Sequence, residues 1–237
     1  MVETIHWHTL HPRYLGPESR ILDLGANYGH FARKITARFG AKCVAVEPSP
    51  APFAAIPAAN GITKLQLAVS DRSGTMPFHV ADDSVASSLL RKVASHRDTI
   101  EVKVCSFEDL LKTLDWPSLD LLKCDIEGAE IAMLAAASDE VLSRIGQMTV
   151  EFHDFCGITP PADIHRTIER LHRLGFQSVR MSRIGHQDTW LINQRLLGIS
   201  NAEVTFIRHV ERNWKGLNRV IARKKAAFTG RPNPAEA

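Results

Sequence analysis

Residues Ile21 to Gly29 read I-L-D-L-G-A-N-Y-G, a short apolar run that ends in an acid and passes through two glycines with Asn27 midway between them. Helix-compatible sequence follows. This order constrains the fold more than any other stretch of the chain. A strand must deliver the backbone to the edge of a sheet, glycine must permit a tight turn there, and a helix must start at once with free N–H groups facing outward. Such a turn is a ligand loop of the nucleotide-binding kind.

The detail of the loop narrows the ligand. In a G-x-G-x-x-G dinucleotide fingerprint the middle glycine lets backbone approach a pyrophosphate, and here Asn27 holds that place. A pyrophosphate is therefore not the expected guest. Asp23 at the strand end suits a ligand with an ammonium group, and S-adenosylmethionine carries an amino-acid head, a sulfonium and no phosphate. The next apolar run, C-V-A-V-E, ends in Glu47, 22 residues past Gly25, about where a doubly wound fold places its ribose-binding acid.

Apolar runs recur at Ile21–Leu24, Val44–Val46, Leu65–Val69, Leu119–Cys124 and Met148–Phe152, with helix-like stretches between most of them. That alternation predicts an α/β fold with a mainly parallel central sheet. Helices are expected over Tyr28–Phe39, where Phe31, Ile35 and Phe39 recur, and over Ala162–Leu174, where Ile164, Ile168 and Leu171 form a core stripe. Thr75–Val80 and Thr99–Val104 read as an inserted antiparallel hairpin, joined by a polar stretch with Ser84, Ser87 and Ser88. F-Q-S-V-R-M and D-T-W-L-I-N, after Gly175, are strands that could complete the sheet antiparallel at its edge. An amphipathic helix is expected over Val204–Ile221, with Ile207, Val210, Trp214, Leu217 and Ile221 at helical spacing.

The 237 residues suit one such domain with decorations, and no apolar run approaches the roughly 20 residues that span a bilayer. The N-terminus lacks a basic region joined to an apolar one, so a soluble, cytoplasmic protein is expected. Cys43, Cys105, Cys124 and Cys156 are far apart and read as buried reduced thiols. Residues 208–237 carry eight Lys/Arg against two Asp/Glu, a net of +6 that leaves −3 for the rest of a +3 chain. A basic tail of this kind could touch nucleic acid, an anionic glycan or a membrane surface, but a solvated helix face is the commoner explanation. The apolar face of the helix is expected to dock on the α/β domain, with a subunit interface or weak contact with an anionic glycolipid or membrane surface as the alternatives. No specific nucleic-acid partner is expected.

A second constellation lies at L-L-K-C-D-I-E-G-A-E, a buried strand that emits Asp125, Glu127 and Glu130 at its carboxyl end. In an open α/β sheet that edge is the ligand crevice, so Asp125 should face the same cleft as Asp23 and Glu47. V-E-F-H-D follows on the fifth strand, where alternation puts Glu151 and His153 on one side. Taken in order, D-L-G-A-N-Y-G, V-E-P, A-V-S-D, K-C-D-I-E-G-A-E and V-E-F-H resemble the FkbM-type methyltransferase family over roughly residues 20–155. The resemblance implies a Rossmann-like class I methyltransferase that uses S-adenosylmethionine. Its acceptor would be a hydroxyl on a sugar, glycolipid or natural product.

Residue by residue, the resemblance puts Asp23, Gly25, Asn27 and Gly29 around the methionine part of the cofactor and Glu47 on its ribose. Ala68, Val69, Ser70 and Asp71 fall where such folds contact adenine. Asp125, Glu127 and His153 are the implied catalytic group, and two arrangements fit them. In one, His153 or Asp125 is a general base; in the other, Asp125 with Glu151 holds Mg²⁺, which acidifies the acceptor hydroxyl. Residues 1–19 are expected to form an N-terminal segment that could serve as a lid, 20–200 the methyltransferase domain, and 201–237 the basic helix and tail.

Other readings are weaker. His6, His8 and His11 in H-W-H-T-L-H invite a transition-metal site, but three imidazoles at a chain end seldom hold the geometry a metal demands. Glu130 could simply cap its helix. A short-chain dehydrogenase would show Y-x-x-x-K, whereas Tyr14 and Tyr28 are followed four places on by Glu18 and Ala32. A non-catalytic cofactor-binding or assembly protein is the alternative from another class. It is distinguished by whether the acidic cluster and a covered acceptor cavity coexist beside the cofactor loop.

Overall fold

The computed structural model describes residues 1–81 and 96–214. The chain opens with a hairpin, β1 (Glu3–Ile5) and β2 (His8–Leu10), whose turn places His6 and Trp7 at φ values of 44° and 72°. Then comes the predicted strand–turn–helix: β3 (Arg20–Leu24) followed by α1 (His30–Phe39), which buries Phe31, Ala32, Ile35 and Thr36. After β4 (Lys42–Val46), α2 (Pro50–Ala55) and β5 (Ile62–Leu65), the chain leaves the main sheet. β6 (Ala68–Ser70), β7 (Gly74–Ala81) and β8 (His96–Ser106) form a separate three-stranded sheet, with β7 and β8 antiparallel as expected. The single third strand expected over Leu65–Val69 is therefore two strands in two sheets. β5 pairs with β4, while β6 pairs parallel to β8.

The chain re-enters through α3 (Phe107–Thr113), β9 (Leu119–Cys124), α4 (Glu130–Ala136), α5 (Asp139–Ser143) and β10 (Ile145–Val150). It continues with α6 (Pro161–Arg173), β11 (Phe176–Arg180), β12 (Thr189–Asn193), α7 (Gln194–Leu197) and α8 (Asn201–Phe206). The main sheet has the order β11-β12-β10-β9-β3-β4-β5 and is parallel except for β12, which is antiparallel to both its neighbours. β3 and β9 sit side by side, yet the chain leaves them in opposite directions along the sheet. At such a reversal the connecting helices lie on opposite faces and a crevice opens at the strands' carboxyl ends.

Alternation along the strands builds the two faces. Leu22, Leu24, Val44, Val46, Leu122 and Met148 look into the core under α3, α4 and α6. Ile21, Cys43, Ala45 and Leu121 look the other way, to α1 and the N-terminal hairpin. Asp23 shares that second face with Ile21 and is fully buried there.

Three expectations change here. The fifth strand ends at Val150, so Glu151 and His153 belong to the loop beyond it and are not held by strand alternation. The C-terminal stripe is buried only in part among the described residues: α8 runs into a π-helical turn at Ile207–Glu211, and the buried positions are Val204, the expected Ile207, and Glu211. A π turn carries more residues per turn than an α turn, which rotates Val210 and Trp214 out to solvent, 50% and 64% exposed. Cys43 and Cys124 are buried thiols as expected, but Cys156 is exposed. Leu217, Ile221, Ser84, Ser87, Ser88 and the tail beyond Trp214 lie outside the described residues. Among the described residues no helix is long and apolar enough to cross a membrane.

Candidate functional site

A cavity of about 620 Å³ opens at the carboxyl ends of β3, β4 and β9. Its floor is the loop after β3, where Gly25 has φ 73°. A Cβ there would lie 1.7 Å from the Asp125 carbonyl oxygen, so only glycine lets the loops after β3 and β9 run against each other. Asn27 follows at φ 50°, a conformation asparagine tolerates better than most residues, and its Oδ1 is buried without a hydrogen-bond partner. Asparagine thus performs the turn that the missing middle glycine would have made and adds a polar atom to the cavity wall.

Glu47 holds this end together. Its Oε2 accepts the Asn27 N–H at 2.8 Å and its Oε1 accepts the Ser49 N–H at 2.8 Å. Burial raises its pKa, and the two backbone donors oppose the rise. Ala68 and Val69 line the cavity nearby, together with Leu67 and Phe78. Ser70 is buried in β6 and hydrogen-bonded to the exposed Asp71 (3.1 Å), and neither lines the cavity. Gly29 begins α1 and does not line it either.

Asp23 departs from its expected position at the cavity. It sits behind the wall, ion-paired to Lys123 Nζ at 3.2 Å, with side-chain exposures of 0% and 4%. Lys123 also donates to the carbonyls of Leu24 (3.2 Å) and Gly25 (2.6 Å) and lies 3.7 Å from Asp125. Burial alone would lower the pKa of this lysine, but the Asp23 and Asp125 carboxylates outweigh it and hold the ammonium charged. The sequence reading missed Lys123. Its signal was a lysine inside an otherwise apolar buried strand, L-D-L-L-K-C.

At the other end of the cavity stand Asp125, Glu127 and Glu151. Glu127 has φ 52° and is followed by Gly128 at φ 101°, a strained turn for a glutamate. The turn is held by Glu130, fully buried, whose Oε1 accepts the N–H groups of Ile126 (3.0 Å) and Gly128 (3.1 Å). Glu130 therefore shapes the loop and stays out of the cavity.

His153 also lies outside the cavity, 3% exposed. Its Nε2 is 3.2 Å from Glu127 and 3.7 Å from Asp125, and its Nδ1 is 3.1 Å from Glu130. Burial opposes the charged ring, yet Glu127 and Glu130 prevail and its pKa is pushed up to about 12. His153 does not line the cavity and meets it only through its carboxylate neighbours. Glu151 is pushed up to about 8, by burial first and then by Asp125.

The N-terminal hairpin supplies the remaining wall. His11 and Gln147 exchange two hydrogen bonds, His11 N to Gln147 Oε1 (2.7 Å) and Gln147 Nε2 to the His11 carbonyl (3.1 Å). Thr9 donates to Asp188 through its backbone (3.1 Å) and its hydroxyl (2.6 Å). These bonds fasten the segment to β10 and to the loop before β12. Of the three N-terminal histidines, His11 pairs with Glu203 away from the cavity, whereas His6 and His8 line it. Burial, aided by Lys123, pushes the His8 imidazole well below its ordinary range. Trp7 and Tyr28, 50% and 41% exposed, stand at the cavity surface.

The Methyltransferase FkbM domain model matches residues 23–178. The chain is 30% identical over 179 residues to 31-O-demethyl-FK506 methyltransferase FkbM of Streptomyces tacrolimicus, covering 60% of this chain and 68% of that protein. Methyltransferase sdnD of Sordaria araneosa is 25% identical over 178 residues, covering 59% and 68%. Among solved structures, the precorrin-6y C5,15-methyltransferase of Geobacter metallireducens GS-15 matches with a TM-score of 0.41 at 12% identity, over 75% of this chain and 80% of that one. That overlay is loose, and it is the strand order with its single antiparallel insertion that gives the class I methyltransferase arrangement. With the family model spanning the cofactor loop, the acidic loop and the strands between them, the chain belongs to the FkbM family of S-adenosylmethionine-dependent methyltransferases.

Proposed function

We propose that the protein methylates a hydroxyl oxygen on a small-molecule or glycan acceptor, with Asp125 receiving the proton. The observation that carries this reading is the coexistence, in one cavity, of Asn27 and Glu47 with Asp125 and Glu151. A protein that merely bound the cofactor would have no use for the second pair. The name of the Streptomyces relative, which specifies a 31-O-demethyl compound, supports oxygen as the accepting atom.

The residues present fit S-adenosylmethionine. Asn27 Oδ1 is a buried acceptor in want of a donor, which an ammonium provides. The Glu47 oxygens each take one backbone N–H and keep lone pairs for ribose hydroxyls. When bound, the cofactor supplies a methyl group on a sulfonium centre. The carboxylates of Asp23 and Asp125 outnumber the one ammonium between them, which favours a cationic guest. In this reading Asp125, which lines the cavity, takes the proton that the acceptor oxygen gives up as it gains the methyl carbon. Trp7 and Tyr28 offer ring faces on which a sugar or other cyclic acceptor can stack.

Calorimetry with S-adenosylhomocysteine tests the cofactor half. Saturable binding is expected, and Glu47→Gln should weaken it roughly tenfold to a hundredfold, the loss of charged hydrogen bonds worth about 1.5–3 kcal/mol. Preferential binding of a nicotinamide dinucleotide would overturn the reading.

A further inference from the structure

We propose that His8, Asp125 and Glu151 form a binding site for a first-row divalent transition-metal ion on the acceptor side of the cavity. One donor atom from each residue lies within 4.8 Å of the others, and all three side chains line the cavity. Ligand bonds of about 2.1 Å put neighbouring donors about 3–3.5 Å apart, so modest side-chain rotation closes the set on an ion.

The imidazole is already prepared as a ligand. His8 is 2% exposed and its Nδ1 lies 3.2 Å from Thr149 Oγ1. The Thr149 hydroxyl donates its single proton toward Asp188 Oδ1 at 3.4 Å, so it must accept from His8. That chain puts the ring proton on Nδ1 and the lone pair on Nε2. An outer carboxylate that orients a histidine through a hydrogen bond is the usual support of a metal ligand. Asp188 also anchors Thr9 on the same hairpin, so the support that sets the tautomer fixes the backbone carrying the ring.

Asp125 remains available. Its two cationic neighbours, Lys123 and His153, each stand 3.7 Å away, longer than a direct hydrogen bond. A second grouping, Asp125 with Glu130 and His153, is set back from the cavity, since neither Glu130 nor His153 lines it. One nitrogen and two carboxylate oxygens suit Mn²⁺, Fe²⁺ or Zn²⁺ better than Mg²⁺, which prefers an all-oxygen shell. This moves the expected ion away from the Mg²⁺ of the sequence reading. Three protein ligands leave coordination positions open, and a hydroxyl bound there becomes more acidic. Only this role for the ion rests on the methyl-transfer reading; its binding does not.

The test uses the full chain without a polyhistidine tag, stripped with a chelator and titrated with Mn²⁺ alone or Mg²⁺ alone, by calorimetry and by the electron paramagnetic resonance of free Mn²⁺. One equivalent of Mn²⁺ should bind, at least roughly tenfold more tightly than Mg²⁺. His8→Ala and Glu151→Gln should each weaken Mn²⁺ by roughly tenfold or more, with His172→Ala, on α6 and away from the cavity, unchanged. If His8→Ala melts early, Glu151→Gln decides alone. No saturable Mn²⁺ binding, or equal binding by wild type and both variants, overturns the proposal. S-adenosylhomocysteine titrated into the same samples separates the two readings. A protein that binds the nucleoside but shows no saturable Mn²⁺ binding sinks the ion site and spares the methyltransferase reading, and one that binds Mn²⁺ but not the nucleoside sinks that reading and supports the ion site.

Discussion

Replacing Lys123 by methionine is expected to destabilise the protein by about 3–5 kcal/mol, because it strands the Asp23 carboxyl in a fully buried position with no opposing charge. At roughly 2–4 °C per kcal/mol for a chain of this size, the melting temperature should fall by about 6–20 °C. The cost has a second source, since the carbonyls of Leu24 and Gly25 lose the donor that joins β9 to the cofactor loop. Converting Asp23 to leucine in the same chain should recover part of the loss, as an apolar pair often replaces a buried ion pair at little cost. The carbonyls remain unserved, so recovery stays incomplete. Chemical denaturation of the two variants checks both statements. A Lys123→Met protein within about 1 kcal/mol of wild type would mean that this pair is not buried and mutually dependent.

Asp125→Asn should lower the single-turnover rate of methyl transfer by about 10²–10⁴, the range for loss of a positioned proton acceptor. The affinity for S-adenosylhomocysteine should change little. The split follows from position: Asp125 stands at the cavity's acidic end, while Asn27 and Glu47 stand at the other. Asparagine keeps the shape and removes the charge, so a matching rate would defeat the assigned role, and a fall confined to cofactor affinity would move Asp125 to the binding end. A metal-ion dependence that disappears in the variant would tie the same carboxylate to the cation site.

Much of this architecture was legible in the sequence because it is written in short-range patterns. The strand–glycine–helix turn at Ile21–Gly29, the acid Glu47 one strand later and the hairpin of β7 and β8 depend on local backbone preferences and on alternation that any few residues display. Asn27 could be recognised as a substitute for the middle glycine because both accept positive φ. The expected strand over Leu65–Val69 went astray for the complementary reason. An apolar run records burial without saying which sheet buries it, and here Leu65 and Ala68 lie in different ones.

The sequence by itself determined the fold class, the family and the two loops that meet at the cavity: D-L-G-A-N-Y-G with Glu47, and D-I-E-G-A-E. Only the tertiary structure decided what the charged groups there do. Asp23 turns inward to Lys123, His153 sits between Glu127 and Glu130, which favour its charged form, and His8 arrives from the far end of the chain beside Asp125 and Glu151. A side chain's protonation and ligand capacity come from the sum of burial and nearby charge over neighbours that here lie between 23 (Glu130 to His153) and 143 (His8 to Glu151) residues away in sequence. Packing supplies those neighbours, and no local pattern encodes them.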